Sequence, residues 1–369
     1  MRFLFNFYIN TFFVGLSNSF IFLPFQIKYN LKGEILSYDF YSKINIGSPP
    51  QIVDTKISFE IPDYFLISKS NETNFGYNKS LSFSFDKALD INASNSEYSN
   101  GYWASDNFYF YNDIECKSKI IIESFPIILP QIDDKLLTLK IGLQILNIND
   151  TLNNNIVYNM KAKNLIYNLI WTIKFKNINE GQIIFGGEPQ QYEKYNNIYN
   201  KKNFEYINTI SENNKLYWGL NFNYIKISNL ITDKNIKGKI VPTIPGIIST
   251  YEFLLEMENF YFKQYENEKI CSRSNINIDN NNYIKIICLK EKLKENDIQQ
   301  FPILNFFNSE LNYTFNFDGK ELFFEEKEYI SFQIFFKAGL SEDEWLLGRL
   351  FIMKYQIVFN NEKKINRFL

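Results

Sequence analysis

Not one of the 369 residues is histidine. That removes imidazole, and with it Ser-His-Asp and Cys-His catalysis and every His-ligated metal site. Three cysteines are too few for a four-thiolate zinc site. If the chain is an enzyme, carboxylates, Lys, Tyr, Ser or Cys must carry the chemistry. Neither a metal nor a cofactor is expected. The nearest approach to a metal-dependent lectin loop is NIDNNNY (Asn277–Tyr283), which the general Asn richness of the chain also explains.

The cysteines have a second use. Cys271 and Cys288 enclose the polar stretch SRSNINIDNNNY, as the two ends of a bridged loop would. A disulfide is expected there, with two free thiols as the alternative. Cys116 is then left over, and nothing around it suggests a nucleophile. Asn-x-Ser/Thr sequons at Asn71, Asn78, Asn92, Asn149 and Asn312 are candidate glycosylation sites. The N-terminus, RFLFNFYINTFFVGLSNSFIFLPFQI after Met1, combines one early Arg, an apolar run and small residues at Gly15, Ser17 and Ser19. It reads as a secretory signal peptide, or as an uncleaved membrane anchor, because apolar character resumes at Phe20–Phe25. No later segment is long and apolar enough to span a bilayer. A secreted or endomembrane (vacuolar lumen) protein is expected, membrane-attached only if the N-terminal segment stays in place.

Composition sets further bounds. Thirty-nine Lys and Arg against 41 Asp and Glu leave a net charge of −2, which argues against nucleic acid as a partner. Hydrophobic content of 45% with 18% aromatics fits a folded core rather than a disordered chain.

The elements that would position any site are strands. Short apolar or alternating runs separated by Asn, Asp, Gly and Ser recur along the chain. Strands are expected over Phe40–Ile46, Ile52–Phe59, Leu81–Phe85, Asn107–Tyr111, Leu169–Phe175, Gln182–Phe185, Tyr217–Ile227 and Tyr355–Phe359. LNYTFNFDGKELFF (Leu311–Phe324) reads as a hairpin turning at Asp318-Gly319. Helix is expected over Tyr251–Tyr265 and at Leu289–Glu295. A faint internal repeat runs through this pattern. KISFEIPDYFLIS (Lys56–Ser68) and KIVPTIPGIIST (Lys239–Thr250) are each followed at long range by an apolar segment around one glycine, LKIGLQIL (Leu139–Leu146) and WLLGRLFI (Trp345–Ile352). Two related β lobes, split near residue 200, would produce it.

Six segments, in order, carry a resemblance. FYSKINIGSPPQ (Phe40–Gln51), LKIGLQIL, GQIIFGGEPQQY (Gly181–Tyr192), KLYWGLNFNYIKI (Lys215–Ile227), the Leu311–Phe324 segment and WLLGRLFIMKYQIVFN (Trp345–Asn360) resemble the landmarks of the pepsin-like aspartic peptidases. They extend over about residues 38–360, and the first and last are the specific ones. The resemblance implies a mostly β, bilobal acid-protease fold with a central cleft. Its domains would be residues 1–27, a signal peptide or signal anchor, 28–200, the N-terminal lobe, and 201–369, the C-terminal lobe.

Family chemistry needs one Asp per lobe on an Asp-Thr/Ser-Gly turn, the pair sharing a proton so that one acts as base and one as acid on a water. The turn glycine lets the two backbones approach. Counted from Gly47-Ser48-Pro49-Pro50-Gln51, the first turn falls on Ser58-Phe59-Glu60, a register supported by Phe65. The second falls on Pro242-Thr243-Ile244. Both aspartates and both glycines are gone. Asp54 lies about 13 Å back along the strand from Ser58, at roughly 3.3 Å per residue. Glu60 is the nearest substitute acid, yet no acidic residue lies near Pro242, Asp233 being the closest upstream. The flap position falls on Phe85, with Tyr98 and Tyr102 as further cleft aromatics and Thr243 beside the second turn. Arg349 stands where the family signature has Asp.

The expectation is a non-proteolytic homologue, a monomer, whose cleft takes a peptide or protein ligand. The alternatives are an aspartic-type endopeptidase working through Glu60, and a secreted β-rich lectin-like protein with a single sandwich.

Overall fold

Period-two alternation builds the first lobe. In the strand Gln51–Ser58, Val53, Thr55 and Ile57 turn inward and are buried, while Ile52, Asp54, Lys56 and Ser58 turn outward. The computed structural model describes residues 20–32, 35–60, 77–88, 101–130, 139–145, 155–188, 205–212, 215–232, 235–278, 280–363 and 365–368. Gln51–Ser58 pairs antiparallel with Ile35–Ile46, which pairs in turn with Ile21–Lys32. The turn joining the first two needs Gly47, whose φ is 90° and whose Cβ, if present, would lie 2.8 Å from Ser80 Oγ. A long hairpin, Gly101–Tyr111 with Lys119–Pro130, carries Ser84–Ala88 on its outer edge. Ile170–Asn177 and Glu180–Phe185 close the lobe against Ile21–Lys32.

That last pairing corrects the N-terminal boundary. Ile21, Phe22, Leu23, Phe25 and Ile27 are buried between the sheets of the first lobe. Residues 21–27 therefore belong to the fold and not to a leader. An apolar leader and a core strand present the same side chains, so the sequence did not separate them.

The second lobe repeats the scheme. Gly219–Phe222 pairs with Ile236–Ile240, and Ile236–Ile240 lies parallel to Glu344–Leu347. In the first lobe Gln51–Ser58 lies parallel to Leu139–Gly142 in the same way, with Ser58 opposite Gly142. These two parallel pairs are the internal repeat read in the sequence. Both unite a strand with a distant partner, and both end at a landmark turn. The lobes are joined by Ile357–Asn360, which pairs with Ile170–Asn177, and by Asn277 and Ile278 opposite Ile35 and Leu36. The boundary drawn at residue 200 falls outside the described residues.

Three local readings change. Tyr217–Ile227 is not one strand: Lys215–Tyr217, Gly219–Phe222 and Tyr224–Ile227 belong to three different sheets. Asp318-Gly319 does not turn a hairpin. Asp318 caps the short helix Gly319–Leu322, accepting from the Glu321 amide while the Glu321 side chain accepts from the Asp318 amide. Tyr313–Phe317 pairs instead with Leu304–Asn308. The second expected helix forms later, over Glu295–Gln299. The first is present as one helical run, Tyr251–Met257, Glu258–Phe262 and Lys263–Asn267, whose cap Thr250 accepts from the Phe253 amide. A helix at Arg349–Lys354 follows the Gly348 landmark.

Candidate functional site

Each landmark turn leaves the end of a parallel strand pair. After Ser58 the chain bends, the Ser58 carbonyl accepting from the Leu143 amide at 2.8 Å. After Ile240, the Val241 amide donates to the Leu347 carbonyl at 2.9 Å, and the Arg349 amide donates to Ile244 at 2.8 Å. Gly348 is required here, because a Cβ would lie 2.2 Å from the Gly246 carbonyl and 2.3 Å from that of Ile244. The two turns face one cavity of about 400 Å³. Phe59 and Glu60 reach it from the first lobe, Thr243 and Ile244 from the second. Ser58 and Pro242 sit at the turns themselves and do not line it. Pro242 is buried and Ser58 half-buried, its hydroxyl 3.4 Å from the Glu60 amide.

The cavity floor is aromatic. Phe59 packs 5.1 Å from the Phe40 ring and 6.1 Å from Trp171. Trp171 stacks on Phe359 at 4.0 Å, and Phe359 meets Trp218 at 5.2 Å. Trp218 also lines the cavity and donates its indole N–H to the Leu143 carbonyl at 3.2 Å, across the lobes. The first turn thus carries a core side chain, Phe59, anchored in a stack that crosses from one lobe to the other.

Two carboxylates and two ammonium groups line the cavity, Glu60 and Glu344 with Lys239 and Lys337. Glu344 is held by Lys239 at 3.1 Å, and Lys239 also meets Glu212 at 2.7 Å and lies 4.5 Å above the Tyr217 ring. Burial opposes the charge on Lys239, but its hydrogen bonds to Glu212 and Glu344 outweigh that cost and raise its pKa. The same bond from Lys239 is the main reason the Glu212 carboxyl sits below its ordinary range. Lys337 donates to Asn281 at 3.0 Å and lies 5.8 Å from the centre of the Tyr283 ring. Glu60 is exposed at the rim. Two carboxylates sharing a proton must be neighbours. Here one of the two is committed to a lysine.

No family model and no curated protein sequence matches the chain. Solved structures do. Basic 7S globulin from soybean superposes with a TM-score of 0.64 at 10% identity, covering 95% of this chain and 96% of that one. Conglutin gamma, a basic 7S globulin from lupine seeds, gives 0.66 at 10% identity, covering 95% of both chains. The fold is pepsin-like. At this identity the likeness speaks for the fold alone, and it excludes the single sandwich of a lectin-like reading.

Within the pepsin-like fold the other expected site residues scatter. Phe85 and Tyr102 sit on the paired strands Ser84–Ala88 and Gly101–Tyr111, 6.2 Å apart, with Phe83 4.8 Å from Phe85. Neither Phe85 nor Tyr102 lines the cavity. Asp54 faces a different cavity in the first lobe. Arg349 is buried: it donates to the Ile178 carbonyl at 3.1 Å and stacks 4.7 Å over Tyr38. Cys271 and Cys288 form the disulfide and are directly opposed on paired strands. The NIDNNNY segment is the tip of that hairpin, where Asn277 donates to Asn282 at 3.0 Å. Asn78 and Asn312 are exposed. Tyr98, Phe65, Asn71, Asn92 and Asn149 lie outside the described residues. Sequence reasoning missed Trp218, Lys239, Tyr283, Asn281 and Lys337. Trp218 stood inside a segment quoted for the resemblance, Lys239 inside one quoted for the internal repeat, and Asn281 and Tyr283 inside NIDNNNY, none of them marked as a cleft residue, while Lys337 stood in no quoted segment.

Proposed function

We propose that this protein is a non-proteolytic relative of the pepsin-like peptidases that uses the interlobe cavity to hold an extended peptide segment. The observation that carries the reading is the pairing at the turns: Phe59 and Glu60 face Thr243 and Ile244, and the second cavity carboxylate, Glu344, is tied to Lys239. No acid pair is available to activate a water. What the walls do offer suits a peptide. Trp218, Tyr217 and Tyr283 give flat apolar surface, while Gln144 and Asn281 give amides that can match a main chain. Secretion, with a leader confined to the apolar residues before Phe20, and lobes dividing near residue 200 complete the proposal. The competing reading, an endopeptidase working through Glu60, needs a second acid free to share its proton, and Glu344 is tied to Lys239.

A peptide array probed with the purified chain tests the binding reading. Selective retention of a subset of peptides, lost in Tyr283→Ala and Lys337→Ala, is expected. Uniform background binding, unchanged in both variants, would reject it.

A further inference from the structure

The charged groups that line the interlobe cavity are not equivalent. Lys239 and Glu344 lie 3.1 Å apart, and Lys239 also holds Glu212 at 2.7 Å. Lys237 extends this network, 3.3 Å from Glu212 and 3.1 Å from Asp343. With more carboxylates than ammonium groups, the network has no cation to spare. Glu60 and Lys337 stand outside it, and among the described residues neither has an ion-pair partner. One comes from each lobe, and their signs are opposite.

Both are presented by fixed structure. Lys337 ends the strand Ile334–Lys337, which lies parallel to Ile247–Thr250 with Lys337 opposite Thr250. Its ammonium group donates to Asn281 Oδ1 at 3.0 Å and lies 5.8 Å from the centre of the Tyr283 ring, which steers the half-buried side chain toward the strand that carries both. A lysine head has three N–H donors, so this contact leaves others for a ligand. Glu60 directly follows Phe59, whose ring packs against Phe40 and Trp171. The backbone that carries Glu60 is therefore anchored, while its carboxylate is exposed at the rim.

Half-buried Tyr217, Val241 and Leu346 add apolar surface to the same lining. A charge in a cleft selects by repulsion as well as by attraction, because a ligand group of the wrong sign must lose water beside a like charge. Two charges of opposite sign on opposite lobes therefore read both the sign of a ligand's charges and their order.

We infer, on the reading that this cavity holds a peptide, that its ligand is an extended segment with an acidic group set against Lys337, a basic group set against Glu60 and apolar residues between them, taken in one charge order. The probe is an array of synthetic peptides in which Asp and Lys flank a short apolar run of varied length, in both orders, with uncharged Asn and Gln versions of each. Retention of one charge order over its reverse is expected, weakened by added salt and by the uncharged versions. Lys337→Glu should weaken the preferred peptides by about tenfold. Glu60→Lys, at the exposed rim, should weaken them by about threefold. Glu60→Lys combined with Lys337→Glu should prefer the reverse order. Lys226→Glu, at an exposed position that does not line the cavity, should change nothing. If the double variant does not melt cooperatively, Lys337→Met should still abolish the discrimination between Asp and Asn versions. Equal retention of both orders, or an order preference that the double variant keeps, would overturn the inference and leave peptide holding in place. No retained peptide at all would overturn both.

Discussion

A proton-sharing dyad needs two carboxylates in contact, on turns tight enough for two backbones to meet. Adding carboxylates alone does not restore it here, because Phe59 fixes the first turn in the aromatic stack and Ile244 is buried in the second. Ser58→Asp with Pro242→Asp is expected to give no turnover above the unaltered chain in peptide hydrolysis. Turnover in that variant would show that the turns tolerate the bulk. The charges beside the cavity set a pH response. The folded pKa of Glu212 is lowered, so its contribution to stability is present above the unfolded value, roughly 4.3, and is lost as pH falls through the lower folded value. The folded pKa of Lys239 is raised, so its contribution is present below roughly 10.4 and is lost as pH rises beyond that. Melting temperature measured against pH should therefore drop at both extremes, and Glu212→Gln should flatten the acid side. An unchanged acid limb in that variant would contradict the assignment.

At the level of elements, strands with clean alternation were legible, and so were the two distant parallel pairs, because each keeps an apolar strand near a glycine. What the sequence hid was context. Asp318-Gly319 carries a hairpin signal, but Glu321 completes a capping box with Asp318, and the helix wins because the Glu321 side chain accepts in return from the Asp318 amide. Gly319 is needed there for space: a Cβ would lie 1.8 Å from the Ile298 carbonyl oxygen. Gly319→Ala should cost about 1–3 kcal/mol of stability in a denaturant melt, and a midpoint matching the parent would refute the contact. The Cys271–Cys288 bridge clamps the end of its hairpin remote from the turn. Cys271→Ser should cost about 2–4 kcal/mol, and a peptide map of the unreduced protein should show the two fragments joined. Separate fragments would remove the bridge from the account.

On the scale of the whole molecule, the lobes are held by buried contacts that no motif announces. The Trp171–Phe359–Trp218 stack and the Arg349 hydrogen bond to Ile178 both cross between them. Arg349→Ala should destabilise the fold by about 2–3 kcal/mol, since it removes a buried hydrogen bond and leaves a void over Tyr38. A melt unchanged by that substitution would place Arg349 outside the interlobe contact. The candidate site was half legible for the same reason. The first turn could be counted from Gly47 and the second placed on the segment Ile240–Ile244, while Tyr283, Asn281 and Lys337 reach the cavity only through the folded second lobe. The central claim is that this architecture holds a ligand without cutting it. Its most direct test is hydrolysis of a degenerate peptide library by the purified protein from roughly pH 3 to 7, the range in which carboxylates can share a proton, with and without a statine-type inhibitor. No cleavage is expected at any pH at which the protein still melts cooperatively. Inhibitor-sensitive cleavage that disappears in Glu60→Gln would contradict the claim and make Glu60 a catalytic acid.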